Sequence, residues 1–112
     1  MGSGQLTFKK FNRRDFDLYF RLVSNENVMM MITGKPLSHG EALIKFDQIL
    51  KFNKESRQYG YFAVRDTSDE NFIGLAKVVL TKEDEAEIGY MLLPDYWGKG
   101  YGTLISQQLI EH

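Results

Sequence analysis

A chain of 112 residues with 43% hydrophobic and 13% aromatic side chains can build one small packed domain and no second one. A formal net charge of -1 removes the electrostatic case for nucleic acid, and the lack of cysteine removes disulfides and a thiol nucleophile and suits a reducing, cytoplasmic setting. No run is long and apolar enough to span a membrane, no basic-and-apolar leader opens the chain, and His39 and His112 lie too far apart to suggest metal-ligand spacing.

Gln5 to Phe11 alternates loosely, with Leu6, Phe8 and Phe11 apolar, and predicts a first strand. Asn12 follows as a helix N-cap, with Asp15 in the capping-box position. Phe16, Tyr19, Phe20 and Val23 then recur at i, i+3, i+4, i+7, one face of a helix that Ser24 to Asn27 breaks. Val28-Met29-Met30-Met31-Ile32 is a short apolar patch of about one helical turn before the Gly34-Lys35-Pro36 loop. Ser38 and Glu41 form a second capping box, opening a helix expected to end near Glu55. Its inner face is Ala42, Leu43, Phe46, Ile49, Leu50 and Asn53, and its outer face Lys45, Gln48, Lys51 and Lys54. His39, just past the cap, reads as a solvated helix-start residue rather than a catalyst.

The period then drops from near 3.6 to near 2. Tyr59 to Arg65 reads as a strand, Asp66 to Asn71 as a turn, and Phe72 to Leu80 as a strand rich in branched side chains. Lys82-Glu83-Asp84-Glu85 reads as a charged turn, and Ala86 to Leu93 as the next strand. Three strands on short links form an antiparallel meander. A final helix runs from Leu104 to Ile110. Strand, helix, helix, three strands, helix is an α+β order, not a repeating βαβ unit.

Between the last strand and that helix stands Tyr96-Trp97-Gly98-Lys99-Gly100-Tyr101-Gly102-Thr103. Glycines at alternate positions keep side chains off the loop, so its backbone N–H groups can turn inward, and the helix behind adds the positive end of its dipole. Such a loop suits a phosphate or pyrophosphate; the alternative is a strand-to-helix turn that binds nothing. The Walker pattern is absent. The dinucleotide fingerprint fails at Thr103, where its third glycine should stand, and a meander is the wrong setting for it, so NAD fits poorly.

Ala86-Glu87-Ile88-Gly89-Tyr90, followed by Pro94-Asp95-Tyr96-Trp97-Gly98-Lys99-Gly100-Tyr101-Gly102, closely resembles the acyl-CoA motif of the GNAT N-acetyltransferases, in particular the RimJ/RimL-like branch that acetylates N-terminal and other amines. The family pattern Gln/Arg-x-x-Gly-x-Gly/Ala falls on Trp97 to Gly102, with Trp97 in place of Gln or Arg. The resemblance covers essentially the whole chain. It implies a mixed, mainly antiparallel sheet flanked by helices, truncated here after the loop helix and so lacking the family's C-terminal strands.

The resemblance also implies roles. Acetyl-CoA would be the cosubstrate, with no metal. Backbone N–H groups from Gly98, Lys99, Gly100, Tyr101, Gly102 and Thr103 would hold the pyrophosphate, with Trp97 and Lys99 flanking it. Backbone groups of Met91, Leu92 and Leu93 would pair with the pantetheine arm as an added strand would. The plain alternative is that these three are core strand. The acceptor would be a primary amine, and the open strand edge implies a homodimer or a completing chain. A non-catalytic acyl-CoA-binding module, or an inactive fragment, is the competing outcome.

Amine acetylation needs a neutral acceptor, so a general base helps, often through water. Glu87 is the candidate, either as that base or as an exposed strand carboxylate. Tyr90 is a possible proton donor, but reads better as a buried aromatic with a hydrogen-bonded hydroxyl. Met29, Met30 and Met31 border the implied acceptor site, either as an adaptable apolar wall or as core filling.

Overall fold

A computed structural model of the chain describes residues 5–56, 59–67, 70–80 and 85–111. Met1 to Gly4, Ser68 and Asp69 of the expected turn, Lys82 to Asp84 of the charged turn, and His112 lie outside the described residues.

Among the described residues four strands form one sheet in sequence order: β1 (Leu6–Lys10), β2 (Gly60–Asp66), β3 (Phe72–Leu80) and β4 (Ala86–Leu92), each neighbouring pair antiparallel. The expected mixed α+β architecture is therefore present, with strand ends within a residue or so of the sequence reading. The helices are α1 (Phe16–Val23), α2 (Glu26–Met30), α3 (His39–Glu55) and α4 (Tyr101–Glu111).

Both expected capping boxes form. The Asn12 side chain accepts from the Arg14 N–H while Asp15 accepts from the Asn12 N–H, and Ser38 and Glu41 do the same for α3. The Ser38 hydrogen bonds hold the Glu41 carboxyl below its ordinary value. Val28 to Met30 of the apolar patch fall in α2, which begins earlier than expected at Glu26 and leaves Met31 and Ile32 in the following turn; Asn25 caps it, its side chain accepting from the N–H groups of Asn27 and Val28. The last helix begins earlier than expected, at Tyr101 rather than Leu104.

β2 and the first half of β3, Phe72 to Ala76, are buried on both faces because helices cover the sheet on each side, which is why they read as nearly continuous apolar runs. On one face Ala63, Leu75 and half-buried Met91 pack against Phe11, Tyr19, Leu22, Val23 and Phe46 beneath α1 and α3. On the other, Phe62, Val64, Ala76 and Leu92 pack against Ile105 and Leu109 of α4. Burial pushes the Tyr19 phenol up to about 12, with Tyr61 adding to the shift.

Two side chains depart from the expected helix faces. Leu43, expected inside α3, is exposed, while Leu22, outside the expected stripe of α1, is fully buried. Ala42, Phe46 and Ile49 fill the face that α3 turns inward, and Leu43 points away from it. Asn53, placed on the inner face, has a polar task there. Its side chain accepts from the Tyr61 N–H at 2.8 Å and donates to the carbonyls of Tyr61 (3.0 Å) and Phe11 (3.3 Å), tying the end of α3 to β2 and to the residue after β1. His39 is exposed, and its ring packs edge-on against Phe16 and Phe20, joining the start of α3 to α1.

Candidate functional site

β4 is the last strand of the sheet and, among the described residues, pairs only with β3. It runs into a 3-10 turn, Pro94–Tyr96, then the glycine loop, then α4. Gly98 and Gly100 adopt φ of +73° and +82°, left-handed conformations that disfavour a β-carbon, and a β-carbon added at either would meet nothing. Gly102 makes a different contact. A β-carbon there would fall 2.3 Å from the Tyr90 hydroxyl, so a larger residue would require the half-exposed Tyr90 ring to shift.

The first intrahelical bond of α4 runs from the Leu104 N–H to the Gly100 carbonyl at 3.1 Å. The N–H groups of Tyr101, Gly102 and Thr103 precede that bond, and Gly100 brings no side chain to cap them. That is the local chemistry of an anion site at a helix start. Two side-chain hydrogen bonds frame the loop. The Trp97 indole N–H donates to the Leu92 carbonyl at 2.9 Å, and the Tyr101 hydroxyl donates to Asp66 at 3.2 Å. Asp66, expected in a turn, is the last residue of β2 and is only 4% exposed.

A cleft of about 590 Å³ opens along this edge, within the range of small-molecule sites. Val28, Met31 and Ile32 wall one side, Tyr90 to Leu92 form the strand side, and Trp97, Gly98, Tyr101 and Gly102 close the loop end. Met91, Leu92, Trp97, Gly98, Tyr101 and Gly102 thus come together, as the sequence reading grouped them. Lys99, Gly100 and Thr103 stand beside the cleft on the exposed part of the loop and helix start. Leu93 turns away: its N–H donates to the Ile73 carbonyl and its side chain packs toward α1 and α3. The methionines divide, Met29 entering the core while Met31 lines the cleft.

Tyr90 differs most from expectation. It is 47% exposed and lines the cleft, because β4 has no neighbour to cover it on its outer side among the described residues. Glu87 lies on the face of β4 opposite Ile88, its side chain 56% exposed and 3.6 Å from the Lys77 ammonium, and it is not among the cleft walls.

The family model of the GNAT acetyltransferase domain matches residues 5–112. The chain belongs to the GNAT acetyltransferase family. Solved GNAT structures share the fold. A GNAT-family acetyltransferase from Bacillus anthracis superposes with a TM-score of 0.73 at 19% identity, covering 99% of this chain and 63% of its own. A spermidine N-acetyltransferase from Vibrio cholerae, solved with CoA and spermine, gives 0.71 at 25% identity over 95% of this chain and 62% of its own. A GNAT-family protein from Bordetella pertussis gives 0.75 at 14% identity over 100% of this chain and 69% of its own. The chain thus spans less than two thirds of the first two structures. Among curated proteins none matches the sequence at a significant level. Within this GNAT domain no described helix is long and apolar enough to cross a membrane, and no group of three or more described His, Cys, Asp or Glu side chains is placed to hold a metal ion.

Proposed function

We propose that this GNAT domain binds acetyl-CoA along the β4 edge and transfers the acetyl group to a primary amine, as a member of the RimJ/RimL-like branch. The observation that carries the proposal is the continuity of one open strand edge, one glycine loop and one helix start around a single cleft. A strand edge suits the two amides of pantetheine, and a helix start suits the pyrophosphate. In the transfer, the amine nitrogen attacks the thioester carbonyl, a C–N bond replaces the C–S bond, the amine loses a proton and the CoA thiolate gains one. Family membership supports the cosubstrate, and the spermidine N-acetyltransferase relative supports an amine acceptor. A cytoplasmic setting, where acetyl-CoA is available, accompanies this reading.

Glu87 is proposed as the general base, acting through water, since it shares its strand face with cleft-lining Met91. Calorimetry with CoA and NAD tests the binding step: CoA binds and NAD does not, and CoA at about 100 times its Kd adds ~2.7 kcal/mol of stability. Equal binding of both, or of neither, refutes the reading. Acetyl transfer to an amine by the same preparation separates an enzyme from a non-catalytic acyl-CoA-binding module. Glu87→Gln then lowers the rate while CoA still binds, and an unchanged pH–rate profile removes Glu87 from the role.

The oligomeric part of the proposal is that a second copy or a completing chain faces the β4 edge across the cleft and shields the apolar surface around it. Exposed backbone bordered by Met31, Ile32 and Tyr90 supports it. Sedimentation of the chain with CoA should show a species larger than the monomer; a sharp monomer at high concentration defeats it.

A further inference from the structure

Resting on the acyl-CoA reading, the geometry points to Trp97 as a positioning residue that ties the glycine loop to the strand edge through the Leu92 carbonyl. In the β3–β4 ladder Leu93 donates its N–H to Ile73, and Met91 stands opposite Leu75. Antiparallel pairing alternates, so Met91 and Leu93 turn their backbone groups onto β3, while Tyr90 and Leu92 turn theirs outward to the cleft. The outward carbonyl of Leu92 is the one that receives the Trp97 indole N–H.

Two consequences follow. First, the bond spans the 3-10 turn and fixes where the loop starts relative to the strand. Gly98 and Gly100 are exposed and leave open space where side chains would be, so packing within the loop does little to hold it there. A ligand with a diphosphate at one end and an amide arm at the other then finds both subsites already at the right separation, which favours binding by preorganisation. Second, Trp97 occupies the Leu92 carbonyl, so the outward groups offered to the arm begin with the Leu92 N–H and the Tyr90 carbonyl. The arm therefore pairs with Tyr90 and Leu92, not with the backbone of Met91 or Leu93.

Calorimetry on the whole chain tests this with three proteins and two ligands. Trp97→Phe keeps a ring and loses the donor; Trp97→Gln restores a donor without the ring. The ligands are CoA and adenosine 3′-phosphate 5′-diphosphate, which has the diphosphate but no arm. Trp97→Phe should weaken CoA about tenfold, the scale of one hydrogen bond and its ordering effect, and change the arm-less ligand less than about twofold. Trp97→Gln should recover most of the lost CoA affinity. Equal CoA affinity in the parent and Trp97→Phe overturns the inference while leaving the acyl-CoA reading intact. Equal weakening of both ligands, with a lowered melting temperature, overturns it as well and makes Trp97 merely structural. A parent that binds no CoA overturns the acyl-CoA reading and this inference with it.

Discussion

Gly74→Val is expected to melt far below the parent chain, the largest stability loss of any single glycine replacement in the sheet. Gly74 sits opposite Leu92 in the β3–β4 ladder. A β-carbon there would lie 2.1 Å from the Met91 carbonyl oxygen and 3.0 Å from the Leu92 Cα. Backbone, not a flexible side-chain tip, is what it meets, so relief requires the two strands to separate. Overpacking of a well-ordered interior destabilises by about 1–3 kcal/mol and occasionally more, and a β-branched residue against a carbonyl belongs at the upper end. For a domain of this size ~3 kcal/mol lowers the melting temperature by roughly 12–20 °C. Gly40→Ala is the internal control. Gly40 lies in α3 with nothing within 4 Å of an added β-carbon, so alanine should hold or raise stability, by up to about 1 kcal/mol. Thermal unfolding of the three proteins side by side checks both signs; a Gly74→Val melt within a few degrees of the parent would show that the strands part without strain.

Gly100→Val, by contrast, should keep the fold and lose the proposed acyl-CoA binding. Space is not the obstacle, since nothing lies within 4 Å of an added β-carbon; the obstacle is the φ of +82°. A β-branched residue held in the left-handed region costs about 1–3 kcal/mol, which the exposed loop escapes by changing conformation. Gly100 also accepts the first hydrogen bond of α4, so a rearranged loop moves the N–H groups of Tyr101 to Thr103 off the proposed pyrophosphate. CoA affinity should fall by tenfold or more while the melting temperature falls less than in Gly74→Val. Unimpaired CoA binding would mean that the loop serves only as a turn.

Local chemistry made much of this fold readable. Both capping boxes use side chains within three residues of the backbone they satisfy, and both form as read. β3 matches its expected span, Phe72–Leu80, because branched residues bounded by turn residues admit few alternatives. The candidate site was readable as a loop between a strand and a helix, again a local pattern. What escaped depends on contacts across the chain. Leu22 rather than Leu43 is buried because the packing direction of each helix is set by its neighbours. The Tyr101–Asp66 bond joins residues 35 apart, and no spacing rule links them. The need for glycine at position 74 comes from the Met91 carbonyl on a neighbouring strand, which no local pattern announces. Tyr90 was expected to be buried, and it is half exposed because β4 has a strand neighbour on one side only among the described residues.

Trp97 is the only tryptophan in the chain, and it stands at the rim of the cleft with its indole N–H bonded to β4. Selective excitation of the indole therefore reports on one place. An emission change on adding ligand comes from the cleft mouth, whereas far-ultraviolet circular dichroism follows the sheet and helices as a whole. The two optical signals together can separate loosening of the loop from loss of the fold, with no label introduced and no residue altered.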